Sequence, residues 1–316
     1  MIFKKIYAMY KGMVYSRADD KGSVYYFSHR DFENLRSEEY SFGSVDGHTL
    51  KGAFYYYDGF DEKRIVIFDH GMGSGHRGYM KEIEMLARHG YRVFSYDHTG
   101  CMESGGETTG GFVQSLKDLN DAVKALKNEE KYKSLDISVV GHSWGAFSTM
   151  NICALHPDIS HIVAMSGFIS VSDVLKQFLG PFASKVYAEE EKANPEFIKY
   201  SAVSSLKNSN VKALIITSDD DKTINCKKHF DVLERALSGQ GNVTFLKLTG
   251  KNHNPNYTED AVKYKDEFFK EHQRVLKKKL LVSEKDKQDF KQKYDWHRMT
   301  AQDEKVWNVI FEHLQK

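Results

Sequence analysis

Serine, histidine and aspartate together can turn a hydroxyl into a nucleophile, and this chain sets each of them just after an apolar run. Gly141-His142-Ser143-Trp144-Gly145 follows LDISVV and precedes AFSTMNICAL, a stretch compatible with a helix. G-x-S-x-G alone is a weak signal. On a strand-to-helix turn it acquires meaning, because small flanking residues permit the tight, strained elbow that exposes a nucleophile. Asp219, Asp220 and Asp221 follow VKALIIT, and His253 follows VTFLKL in the stretch FLKLTGKNHNP. A serine hydroxyl is a poor nucleophile near neutral pH, so a base must take its proton as it attacks an acyl carbon. Imidazole, with an unperturbed pKa of about 6.5, can accept that proton and pass it to the leaving group. A buried carboxylate holds the imidazole tautomer and stabilises the imidazolium. The acidic triplet, read on its own, leaves the choice of carboxylate open.

These residues need a scaffold, and the hydropathy pattern supplies one. Apolar runs at 65–69, 92–96, 136–140, 161–166, 211–217 and 243–248 are short, nearly continuous and rich in Val and Ile. Strands buried on both faces of a parallel sheet read this way. Residues 39–57 hold two aromatic-rich runs joined through Asp46-Gly47, which predicts an antiparallel hairpin. Residues 78–89 and 115–127 have helical spacing, with Tyr79, Ile83, Leu86 and Ala87 on one face of the first and Leu116, Leu119, Val123 and Leu126 on one face of the second. The expected fold is α/β: a mostly parallel open sheet of about eight strands with an antiparallel N-terminal hairpin, helices on both faces and a small helical lid. Residues 1–36 read as a partly helical lead-in. We expect one domain over 1–316, with a lid-like insertion at 168–206 and, before the final helix, a charged helical insertion at 257–299 with an amphipathic run through Ala261, Tyr264, Phe268, Val275 and Leu276.

With the elbow and the strand order in hand, the chain from about residue 39 onward, the charged insertion apart, resembles the α/β-hydrolase superfamily of serine esterases and lipase-like bacterial acyl hydrolases. IVIFDHGMGS resembles the strand and His-Gly loop that supplies part of the family's oxyanion hole. YDHTGCMESGG resembles its D-x-x-G-x-G-x-S loop through Asp97, Gly100 and Ser104, with Met102 in place of the second Gly. SDDDKTI resembles the G-x-x-D-x-x-V turn that carries the acid, with Ser218 at the Gly position and Ile224 at the Val position. The resemblance therefore implies Ser143 as nucleophile, His253 as base and acid, and Asp221 as the carboxylate, with Asp219 as its competitor. It implies the backbone N–H groups of Met72 and Trp144 as the oxyanion donors, and a buttressing role for His70. His142 and Trp144 are expected to pack around the elbow, with lining of the acyl pocket as the alternative for Trp144.

Composition narrows the partners. The 45 Lys and Arg residues against 44 Asp and Glu leave no global field for nucleic acid or an acidic surface. Mean hydropathy is −0.55, and no run reaches the 18 or more apolar residues of a membrane span. The cysteines Cys101, Cys153 and Cys226 are too scattered for a disulfide framework or a zinc motif. No metal and no organic cofactor are expected, and the absence of a secretory leader pattern predicts a cytoplasmic location. The expected activity is hydrolysis of a carboxylic ester of a small or medium acyl substrate. The aromatics of 168–206 suggest an apolar pocket, and Glu189-Glu190-Glu191 offers a place to hold a free amine. The alternatives are a peptidase or acylaminoacyl hydrolase on the same trio, and a catalytically silent binding protein on the same scaffold.

Overall fold

In the computed structural model, which describes residues 2–316, eight strands form one sheet in the order β1-β2-β4-β3-β5-β6-β7-β8. They are β1 (Arg36–Gly43), β2 (Thr49–Tyr56), β3 (Arg64–Asp69), β4 (Arg92–Tyr96), β5 (Asp136–His142), β6 (His161–Met165), β7 (Lys212–Ser218) and β8 (Val243–Leu248). β2 runs antiparallel to both β1 and β4, and every other neighbouring pair is parallel. The hairpin turn is longer than a two-residue Asp-Gly loop. Gly43 pairs with Thr49, and Gly47 takes the left-handed backbone (φ +80°) inside the turn between them.

The strand pleat divides the core in two. Ile65 and Ile67 of β3 face one side of the sheet, Val66 and Phe68 the other. The helices in chain order are α1 (Ile2–Val14), α2 (Met80–Arg88), α3 (Gln114–Asn128), α4 (Trp144–Ile152), α5 (Val171–Leu179), α6 (Ala183–Ala193), α7 (Ala202–Lys207), α8 (Phe230–Ala236), α9 (Glu259–Lys277), α10 (Glu284–Lys291), α11 (Trp296–Met299) and α12 (Glu304–Leu314). α2 and α12 cover one face through Ile83, Leu86, Trp307 and Ile310. α3, α4 and α8 cover the other through Leu119, Val123, Phe147 and Leu233. Among the described residues no helix is long and apolar enough to cross a membrane.

Residues 168–206 form α5 to α7, between β6 and β7. Their aromatics turn inward: Phe168 stacks on Phe147 with ring centroids 4.7 Å apart, and Phe182, Tyr187, Phe197 and Tyr200 pack on the same apolar cluster. Phe178 is exposed. Glu190 is buried and accepts a hydrogen bond from Tyr15 Oη, and Glu189 pairs with Lys192, so the acidic run does not present a common amine-binding face. Residues 257–299 fold as α9 to α11 around a separate small core of Phe268, Val275, Phe290 and Met299, which Val24 joins. Ala261, Phe268 and Val275 are buried as their spacing predicts. Leu276, one helical step round from Val275, is exposed beside Lys277, Lys278 and Lys279.

Candidate active site

The site is built at the carboxyl ends of the central strands, where an open α/β sheet leaves its crevice. β5 ends at His142 and α4 begins at Trp144, so Ser143 alone makes the reversal, at φ +56° and ψ −111°. Such a backbone costs about 1–3 kcal/mol and persists only where its surroundings hold it. They do so here. Ser143 N–H donates to Met165 O at 2.8 Å and Ser143 O accepts from Phe147 N–H at 3.1 Å. A Cβ on Gly145 would land on the Asp69 carbonyl, and one on Gly141 on Thr149 and the Gly145 backbone. The two glycines of G-x-S-x-G are thus a packing requirement of this turn.

The turn after β7 carries Asp221 and the loop after β8 carries His253. Ser143 Oγ lies 2.9 Å from His253 Nε2, and His253 Nδ1 lies 2.8 Å from Asp221 Oδ2. The other Asp221 oxygen accepts the Thr223 and Ile224 N–H groups at 2.8 and 2.9 Å. The Asp221 side chain is wholly buried, and that of His253 is 19% exposed. A carboxylate only accepts, so Nδ1 carries the proton and Nε2 is left to accept from the serine hydroxyl. That arrangement can move a proton off Ser143. Asp219 instead accepts from Thr249 Oγ1 at 3.0 Å, and Asp220 takes the Asn252 N–H at 3.0 Å. Asp220, together with Ser218 Oγ on Lys251 N–H (3.1 Å) and Asn252 Oδ1 on Lys222 N–H (3.0 Å), stitches the acid turn to the histidine loop.

His142 ties the elbow to that loop from below. Burial, and then the neighbouring His253, push its imidazole well below the usual range, so it is neutral. Its Nε2–H donates to His253 O at 2.7 Å, which leaves Nδ1 to accept from Tyr79 Oη at 2.9 Å. Tyr79 Oη in turn fills the space that a Cβ on Gly71 would need. One hydrogen-bonded column therefore links the loop after β3, the elbow and the His253 backbone.

Met72 follows His70-Gly71 in the loop after β3, and Trp144 opens α4. Neither backbone N–H has a hydrogen-bond partner among the described residues; for Trp144 this is the ordinary state of a first-turn helix donor. The Trp144 ring is buried, and its Nε1–H donates to Phe112 O at 2.7 Å, so the indole packs inside the fold instead of lining an acyl pocket. His70 is held rigidly, with Nδ1 on Gly71 O at 2.8 Å and Nε2 accepting His98 N–H at 3.0 Å. Burial, reinforced by the charge on His98, lowers its pKa to about 3. His98 behaves oppositely. Burial alone would lower it, but Asp69 and Asp118 on either side win and raise it to about 9. Asp118 Oδ2 is 3.3 Å from its Nδ1. Asp69 Oδ1 is 3.0 Å from its Nε2 but off the hydrogen-bonding direction, so that contact is ionic. The His98 ring sits 4.4 Å from that of His70 and 4.8 Å from that of Trp144, centroid to centroid.

The loop after β4 keeps its path without a second glycine. Met102 itself adopts φ +41°, with its N–H on Ala18 O at 2.8 Å and its O on the Arg17 guanidinium at 2.6 Å. Arg17 also satisfies Ser104 O and Gly106 O, at 3.0 and 2.6 Å. Asp97 accepts from His76 Nδ1 at 2.7 Å. Burial would raise its carboxyl, yet His76 outweighs burial and holds it at about 2. Residue-by-residue reading missed the His142–Tyr79 column, the Asp69–His98–Asp118 group and the Arg17 clamp. Among the described residues no group of three or more His, Cys, Asp or Glu side chains is arranged to hold a metal ion.

Comparison with known proteins agrees with this architecture. Residues 61–201 match the sequence model of a family described as serine aminopeptidase, S33. The Bacillus subtilis protein YqkD, described as uncharacterized, is 29% identical over 125 residues, 40% of each chain, so the match spans well under half of that relative. Among solved structures, the Pyrococcus furiosus esterase Pf2001 superposes with a TM-score of 0.59 at 22% identity, over 84% of this chain and 98% of its own. A Pyrococcus horikoshii acylaminoacyl peptidase gives 0.57 at 17% identity, over 71% and 38%. Strand order, elbow and these likenesses converge on the α/β-hydrolase fold.

Proposed function

We propose that the protein is a serine hydrolase that cleaves a carboxylic ester of a small or medium acyl substrate through an acyl-serine intermediate. The observation that carries this reading is the continuous hydrogen-bonded chain from Ser143 Oγ through His253 to Asp221, at 2.9 and 2.8 Å, on a strained elbow. Ser143 Oγ attacks the acyl carbon while His253 Nε2 takes its proton. The resulting oxyanion accepts hydrogen bonds from the Met72 and Trp144 N–H groups, a contribution of about 10²–10³ in rate per donor. Collapse expels the alcohol, protonated by His253, and a water molecule activated by the same imidazole releases the acid. Asp221 keeps the proton of the resting imidazole on Nδ1 and stabilises the imidazolium.

The likeness to an esterase supports an ester substrate, whereas the family description and the acylaminoacyl peptidase point to an amide on the same residues. Against a free-amine site in the lid stands the burial of Glu190 on Tyr15. The test is labelling with a fluorophosphonate probe, wild type beside Ser143→Ala, with the modified peptide located by mass spectrometry. Labelling at Ser143, absent from the variant, is the expected result; folded protein that resists the probe overturns the reading. Turnover of p-nitrophenyl esters above aminoacyl p-nitroanilides then supports the ester, and the reverse order the amide.

A further inference from the structure

The charged segment 257–299 reaches the His253 loop through Asp266 of α9. Both carboxylate oxygens of Asp266 lie within hydrogen-bonding distance of Asn252 Nδ2, at 3.3 and 3.2 Å. Asn252 immediately precedes His253, and its backbone is left-handed at φ +46°, a conformation asparagine adopts more readily than most residues. Its other bonds run to the acid turn. Asn252 N–H donates to Asp220 at 3.0 Å, and Asn252 Oδ1 accepts the Lys222 N–H at 3.0 Å. Asp220 and Lys222 are the two chain neighbours of Asp221. The orientation of the amide is fixed from both sides, because a backbone N–H only donates and a carboxylate only accepts. Asn252 thus has the residues on either side of Asp221 on one flank and α9 on the other. α9 is itself a firm mount. Phe268, two positions past Asp266, is buried in the small core with Val275, Phe290 and Met299, and Arg298 of α11 grips Asp260 through two nitrogens at 2.7 Å.

We propose that Asn252 and Asp266 are positioning residues for the reaction at Ser143: α9 holds the Asn252 amide and, through it, sets how His253 Nδ1 meets Asp221. This role rests on Ser143, His253 and Asp221 being the catalytic group proposed above. Neither residue touches the reacting atoms, so the effect is one of alignment. A misplacement of about 1 Å can cost about 10²-fold in rate. Asn252→Asp keeps an oxygen for the Lys222 N–H but sets a second carboxylate against Asp266, and the two should move apart. Asn252→Asp/Asp266→Asn restores the hydrogen bond with donor and acceptor exchanged, which an unrelated packing defect would not reproduce.

The experiment compares the full chain with Asn252→Asp, Asp266→Ala and Asn252→Asp/Asp266→Asn. One readout is steady-state hydrolysis of a p-nitrophenyl ester. The other is two-bond proton–nitrogen correlation of the imidazoles, with His253 assigned from His253→Gln. The expected result is a fall in kcat of about ten- to a hundredfold in Asn252→Asp and a smaller fall in Asp266→Ala, at unchanged KM. The His253 nitrogens should leave the Nδ1–H pattern of the parent in step with kcat, and the double variant should regain most of both losses. Alanine is the best helix former, so Asp266→Ala decides if Asn252→Asp does not fold. Parent kcat and parent His253 signals in both single variants overturn the proposal. So does a change confined to KM or to the melting temperature, or a double variant no better than Asn252→Asp. The imidazole readout does not depend on turnover. His253 signals that move as expected in a chain whose parent shows no esterase activity would uphold the positioning role and overturn the reading of the reaction instead.

Discussion

Asp221→Asn tests the proposed mechanism at its most specific point. In the native site one carboxylate oxygen receives two backbone N–H groups, at 2.8 and 2.9 Å, and the other faces His253 Nδ1 at 2.8 Å. An asparagine has only one acceptor oxygen. The Thr223 and Ile224 donors hold it, which turns the amide NH2 toward His253. The imidazole must then accept at Nδ1 and carry its proton on Nε2, where it donates to Ser143 Oγ and cannot take the hydroxyl proton. The wrong tautomer costs about 10⁴ in kcat in a site of this kind. The turn keeps its two backbone bonds, so the melting temperature should stay close to that of wild type. The assay is steady-state hydrolysis of a p-nitrophenyl ester, with Asp219→Asn as the control; its partner is Thr249, and activity should be retained. A loss of less than about tenfold at Asp221→Asn, with normal expression and melting, would refute the tautomer argument.

Three other outcomes follow from the packing and the buried charges. Gly145→Ala forces a Cβ onto the Asp69 carbonyl, backbone against backbone, and should cost about 1–3 kcal/mol in chemical denaturation; an unchanged midpoint would show that the elbow yields. His98 has its folded-state pKa raised from about 6.5 to about 9. Its stabilisation is therefore complete below about 6.5 and lost as pH climbs through about 9, at most about 3 kcal/mol. Stability profiles of wild type and His98→Gln should converge above that pH, and parallel profiles would refute the assignment. Burial raises the Glu190 carboxyl, so its ionisation destabilises the fold as pH rises past the ordinary glutamate range. Glu190→Gln keeps an acceptor for Tyr15 and should gain about 1 kcal/mol at neutral pH in a thermal melt, whereas a loss would show that the charge itself holds α6.

The parallel strands were legible because each is a short Val- and Ile-rich run buried on both faces, and β3, β5, β6 and β7 fall within a residue or two of the apolar runs that predict them. The Ser143, Asp221 and His253 positions were legible for a different reason. Ser143 and His253 each follow a strand, whose end a periodicity marks, whereas Asp221 was singled out from its neighbours only by the resemblance to the G-x-x-D-x-x-V turn. The structure brings these three within hydrogen-bonding distance, while Asp219 faces Thr249. What escaped the reading was made by sequence-distant partners. His98 is one of fourteen histidines until Asp69 and Asp118 flank it. Met102 looks like a departure from the family loop until Arg17, 85 residues earlier, is seen to brace its carbonyl. Leu276 fits the amphipathic run of α9 but overshoots the small core by one residue. No local pattern encodes such contacts, because backbone strain and buried charge are resolved only when the chain has closed.

The Arg17 clamp also fixes an order of assembly. Residues 15–18 bond the loop after β4, and a few residues on, Ser23 Oγ meets His272 Nε2 of α9 at 2.9 Å, a separation of 249 residues. Long-range closure of this kind is slow, since the entropy of the intervening chain is lost before the contact forms. During synthesis the residues that brace the β4 loop emerge before that loop, yet the α9 partner of the same segment emerges after the whole sheet. The early segment must wait, partly ordered, through translation of everything between, with the aromatic face of α1 open to chaperones or to premature association for that interval.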